Sequence, residues 1–160
     1  MQRITLLCVG KLKEKFYAGA AAEYAKRLSR YCKLEIVELP EERLPEDPSP
    51  AQIDAALARE AEAIRSKLPS GALLAALCVE GTPRSSEDLA RLMASWANRG
   101  EGRVVFLIGG SHGIHESVKA QAAERISMSP MTFPHHLARV MLLEQIYRAY
   151  QINAGTKYHK

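Results

Sequence analysis

Cysteine is scarce: three residues in 160, at positions 8, 32 and 78. An odd, scattered set in apolar surroundings neither closes a disulfide framework nor spaces a zinc site, so these read as buried thiols. Long apolar runs are also missing. The stretch after Arg3 is only Ile4–Val9 before Gly10 and a lysine cluster, too short to span a bilayer and wrongly flanked for a cleaved signal. A cytoplasmic protein with no membrane attachment is expected. There is no P-loop, no G-x-S-x-G elbow and no paired acidic motif, and the first strand ends simply in Val9-Gly10-Lys11. Phosphoryl transfer, acyl hydrolysis and a Rossmann-type cofactor site therefore lose their usual machinery. His112 with His115, and His135 with His136, are the pairs to weigh as metal ligands. Adjacent helical residues point about 100° apart and no further Cys or Asp completes a set, so no metal is implied.

What is present suits one globular domain over residues 1–160, with 47% hydrophobic and 25% charged residues supplying both a core and a surface. The net charge of +4 is unevenly placed. Lys11, Lys13, Lys15, Lys26, Arg27, Arg30 and Lys33 crowd the first helical region, and Glu35, Glu38, Glu41, Glu42, Glu46 and Asp47 follow. A basic face beside an acidic one favours oriented docking on a polyanion. Periodicity gives strands over 4–9, 34–38, 72–79, 104–108 and 126–128, and helices over 17–31, 51–67, 85–98, 114–124 and 134–154. Strict alternation of β and α elements argues for an α/β fold, a mainly parallel sheet with helices on both faces.

The last third concentrates the chemistry. Val104–Ile108 is a continuous apolar run that stops on Gly109-Gly110, the pattern of a central parallel strand ending where backbone approaches something closely. Thr132 and Pro134 stand where an N-cap and a first helical turn belong. Leu137, Val140, Met141, Leu143, Ile146, Tyr147 and Tyr150 then recur at helical spacing until Gly155. His135, Arg139 and Arg148 give this helix a cationic flank, and its first amides favour an anion. Glu144 sits four residues before Arg148 and reads as its structural partner.

IGGSHG after a strand, SMSPMTFPHHLARVMLLEQIYRA and the ending YHK together resemble the small RlmH-type methyltransferases of the SPOUT superfamily. The resemblance spans the whole chain, with its specificity in Ile108–Lys160. It implies a homodimer, a C-terminal trefoil knot, and S-adenosylmethionine-dependent methylation of N3 of a pseudouridine in large-subunit ribosomal RNA. It further implies that Leu77, Gly109, Gly110, Gly113 and the loop Met128, Ser129, Pro130, Met131, Thr132, Phe133 and Pro134 hold the cofactor, largely through backbone groups and an apolar seat. Met131 and Phe133 also admit a plain core reading. Such a transfer needs mainly positioning, plus removal of the N3 proton. His135, Arg139, Tyr158 and His159 are the candidates near that proton, and the sequence does not choose among them. The wide apolar surface of Leu143, Ile146, Tyr147 and Tyr150 points to pairing through the last helix. Lys157–Lys160 combine an aromatic, an imidazole and two lysines, which suits contact with a base and a phosphate. Two other classes stay open: a ribosome-associated RNA-binding α/β protein without catalysis, and an anion-binding module.

Overall fold

The computed structural model describes all residues, 1–160. Five strands, β1 (Arg3–Val9), β2 (Lys33–Leu39), β3 (Leu73–Pro83), β4 (Arg103–Ile108) and β5 (Glu124–Ser127), form one sheet in the order β2-β1-β4-β3-β5. Every pairing is parallel. All strands therefore end on one edge, and the residues that follow them converge there.

Period-two alternation sends side chains to two cores. Ile4, Leu6, Val104, Phe106 and Ala75 face one side and pack against α1 (Lys15–Leu28), α3 (Ser86–Asn98) and α5 (His135–Asn153). Leu7, Val9, Val105, Leu107 and Ala76 face the other, under α2 (Pro50–Lys67) and α4 (Glu116–Gln121). β1 and β4 are buried on both faces, which is why they read as unbroken apolar runs. Ser49 and Ser85 each start a helix through a complete capping box.

Three local expectations change. The helix expected over 114–124 shrinks to the six residues of α4, because Ile114 is buried in the preceding turn, His115 caps the helix through its side chain, and Ala122 is already extended. β5 consequently begins at Glu124, two residues earlier than the apolar pattern suggests. The last helix does not use Thr132 as its cap: Pro134 is the N-cap, with no side-chain hydrogen bond. Its first amides remain unpaired by a cap, which leaves the positive end of the helix open.

β3 runs further than its apolar core. Its register against β5 shifts between Leu77 and Thr82, both of which pair with Ile126. Gly81 lies inside this irregularity, and a Cβ there would stand 2.8 Å from the Arg125 carbonyl carbon. Only glycine lets the strands approach so closely, and the displaced segment before it becomes a wall of the cleft.

Candidate active site

At the carboxyl edge of the sheet lies a cleft of about 730 Å³, within the range that encloses a small-molecule ligand. Its walls come from the end of β3 (Leu77–Glu80), the turn after β4 (Ile108–Ile114), the loop after β5, and the first turn of α5. Leu77, Gly109, Gly110, Gly113, Met128, Ser129, Met131, Thr132, Phe133 and Pro134 all line it. Pro130, exposed at the loop's outer side, does not. Met131 is 72% exposed, so the core reading fails for it, whereas Phe133 is half-buried.

The loop between Ser129 and Phe133 makes no backbone–backbone hydrogen bond. Its peptide groups meet only side chains: Met131 N–H donates to Ser129 Oγ at 3.0 Å, and Ser129 O accepts from Ser127 Oγ at 3.1 Å. Peptide groups of that kind, beside Leu77, Ile108, Ile126 and Met128, can read the edge of a heterocycle while the apolar side chains seat its faces. The turn opposite is tightly drawn. Gly113 N–H donates to Gly110 O at 3.1 Å, Gly113 has φ +85°, and Ser111 N–H donates to the Glu41 carboxylate at 2.7 Å.

The four candidate acid–base residues separate. His135 and His136 line the cleft with their rings 3.8 Å apart, and the His135 ring lies against Gly10, where a Cβ would come within 2.7 Å of it. Burial, and next the neighbouring His136, hold the His135 pKa below its usual value, with the Glu41 charge opposing. It is neutral at pH 7 and able to accept a proton. Arg139 is not on an open flank, contrary to the expectation above. It is 2% exposed, lies outside the cleft lining, pairs with Glu38 at 2.6 Å and donates to Gly10 O at 3.0 Å. Glu38 in turn accepts from Leu12 N–H at 3.2 Å. This clamp ties the ends of β1 and β2 to the first turns of α5.

Tyr158 and His159 dock on α5 beyond the cleft of their own chain. The Tyr158 hydroxyl donates to Glu144 at 3.2 Å, the Arg148 guanidinium lies 4.8 Å from its ring centre, and His159 meets Glu87 at 2.6 Å. Glu144 pairs with Arg148 at 2.5 Å, as the spacing suggests. Sequence reading missed the Lys119 side of the cleft: this buried lysine bonds Glu80 and pairs with Glu116 at 2.8 Å. It missed Cys78 as well, which is half-buried on the cleft wall. The i,i+3 spacing of Glu116 and Lys119 was the one available hint.

The family model described as "Predicted SPOUT methyltransferase" matches residues 2–159, and the chain belongs to that methyltransferase family. Among similar proteins, one from Acetivibrio thermocellus is 46% identical over 158 residues, covering 99% of each chain; one from Clostridioides difficile is 45% identical over 157, covering 98% of this chain and 99% of the relative. A third, from Lactobacillus delbrueckii subsp. bulgaricus, is 44% identical with the same coverage. All three carry the name ribosomal RNA large subunit methyltransferase H. A solved structure described as a probable methylase family protein from Haemophilus influenzae superposes with a TM-score of 0.52 at 14% identity. It covers 99% of this chain and 70% of its own, a likeness of fold alone.

Proposed function

We propose that this chain methylates N3 of a pseudouridine in large-subunit ribosomal RNA, with S-adenosylmethionine as donor, as a cytoplasmic homodimer. The observation that carries the reading is the cleft itself, with a loop of unspent peptide groups and apolar side chains facing a glycine turn, and a neutral imidazole at its rim. The full-length relatives named as ribosomal RNA methyltransferases support the same substrate class. S-adenosylmethionine, held by Leu77, the Gly109–Gly113 turn and the Met128–Pro134 loop, supplies an electrophilic methyl group on its sulfonium.

The chain's own part is to place the base and manage one proton. N3 gains a carbon and loses hydrogen, and of the two imidazoles at the rim the partly buried His135 is assigned to take that proton. The uncapped amides at the start of α5 favour the anionic base that deprotonation leaves. Arg139 acts one step back, because its bonds to Glu38 and Gly10 fix the turn that carries His135. The tail serves across a two-fold axis, where Tyr158 and His159 of one copy meet the acceptor at the cleft of the other. Leu143 and Ile146 are wholly buried, so of the expected surface only the half-buried Tyr147 and Tyr150 are left for pairing, with Val140 and Met141 beside them on the helix. Sedimentation at micromolar concentration should give a dimer; a monomer would remove the basis for a shared site.

The decisive experiment is calorimetric titration with S-adenosylmethionine, followed by mass mapping of large-subunit RNA treated with protein and donor. One added methyl on a pseudouridine is expected. RNA binding without donor binding would leave the non-catalytic ribosome factor as the surviving reading.

A further inference from the structure

Next to the cleft, the chain between β1 and α1 carries features that donor binding does not use. Phe16 is 69% exposed at the start of α1, an unusual place for a large apolar ring with nothing against its outer face. Its inner side meets Tyr17 at 4.5 Å between ring centres. Tyr17 stacks on His136 at 5.7 Å with planes 13° apart, and His136 touches His135 at 3.8 Å. The four rings thus form an unbroken path from solvent to the cleft rim. Lys11, Lys13 and Lys15 are exposed in the segment that leads into Phe16, with the exposed Glu14 among them, and none of the three lysines forms a salt bridge. The supporting loop is fixed at both ends of its first half, by Arg139 to Gly10 O and by Leu12 N–H to Glu38.

From this arrangement we infer that the Phe16–Tyr17–His136 path is a stacking platform for unpaired nucleotides flanking the acceptor, with the three lysines meeting their phosphates. This inference rests on the proposed RNA substrate and names the surface that binds it. Aromatic faces accept any base, and a lysine row beside them follows a sugar–phosphate chain. A second copy of the chain is the poorer occupant. A two-fold contact through this patch would set three lysines against the same three lysines.

The test uses the full chain, its Phe16→Ala and Phe16→Trp variants, and a Lys11→Gln/Lys13→Gln/Lys15→Gln triple variant. The probe is a fluorescein-labelled single-stranded oligouridylate. Phe16→Ala should weaken binding at least about fivefold, and Phe16→Trp should retain it. In the triple variant the slope of log affinity against log salt should flatten by about 2, at about 0.7 per phosphate contact. S-adenosylmethionine affinity and the sedimentation coefficient should not change in any variant. Unaltered oligonucleotide binding by Phe16→Ala would overturn the platform, and so would conversion of Phe16→Ala to a different oligomeric state, which would mark the patch as a self-association surface. Oligouridylate binding needs no methyl transfer. A wild-type protein that binds the probe through Phe16 yet methylates no RNA would therefore refute the proposed reaction and leave the platform standing.

Discussion

Gly109 and Gly110 stand side by side, both on the cleft wall, yet replacing them with alanine should have unequal effects. Neither has a positive φ, so the cost is spatial and not conformational. A Cβ at Gly109 would lie 2.5 Å from Gly113 O, 2.7 Å from its carbonyl carbon and 2.8 Å from Ile114 Cγ1. Backbone cannot swing aside, so the whole 110–113 turn must move by roughly the 1 Å that separates this contact from ordinary van der Waals distance. Overpacking of this kind costs about 1–3 kcal/mol. The moving turn is itself a cleft wall, and a loss of about 1.4 kcal/mol from donor binding is a tenfold weaker affinity. At Gly110 the Cβ would meet only the end of the Glu41 side chain, at 2.7 Å. That carboxylate can rotate away, and because its bond to Ser111 N–H is exposed, water replaces both partners. Urea denaturation and calorimetry with S-adenosylmethionine, run on both variants, should rank Gly109→Ala well below Gly110→Ala in stability and in affinity. Equal affinities, or Gly110→Ala as the worse variant, would refute the turn as the shared support of fold and site.

Arg139→Ala returns the exposed Glu38 carboxylate to water but leaves the buried Gly10 O without its donor, so a loss of about 1–3 kcal/mol in urea melts is expected; an unchanged melt would show that the clamp does not hold α5. His135→Gln should remove the acid limb of the kcat/KM profile. In the wild type this limb falls as pH drops through the His135 pKa, which lies below 6.5, because protonation destroys the base; a variant that keeps the same limb would move the role elsewhere. The same depressed pKa makes the unfolded chain bind this proton at higher pH than the folded one. Wild-type stability should therefore decline below about pH 6.5 more than that of His135→Gln. Deleting Tyr158–Lys160 should leave S-adenosylmethionine affinity nearly unchanged and lower RNA methylation strongly, since these residues touch no part of their own cleft; full-rate methylation by the truncated chain would make the tail dispensable.

How far the sequence reaches depends on what kind of physics decides each feature. The central strands were legible because burial on both faces leaves no room for polar residues, and the start of the helix expected over 85–98 because capping at Ser85 is a local contract between residues three apart. α4 was overextended for the opposite reason. Ile114, Val118 and Ala122 keep helical spacing, but pairing of Glu124 with Ala75 across β3 pulls the chain into a strand. Local preference lost to a ladder that no window of sequence displays.

The same division runs through the site. What loop residues 128–134 offer the cleft is largely peptide groups, which every residue possesses, so their pattern suggests a cofactor seat only through resemblance to a family. The C-terminal knot that the resemblance implies is in the same position, since periodicity carries no trace of threading. Arg139 shows the converse difficulty. On a helical wheel it is one more cation on a flank, and its partner Glu38 is 101 positions away. Its burial becomes visible only when parallel pairing brings the ends of β1 and β2 beside α5. A cation that costs several kcal/mol to desolvate persists there because it joins three chain segments at the point that supports His135. Among four candidates that the sequence did not rank, Arg139 is thus the one most committed to structure, and the ring it supports lines the cleft.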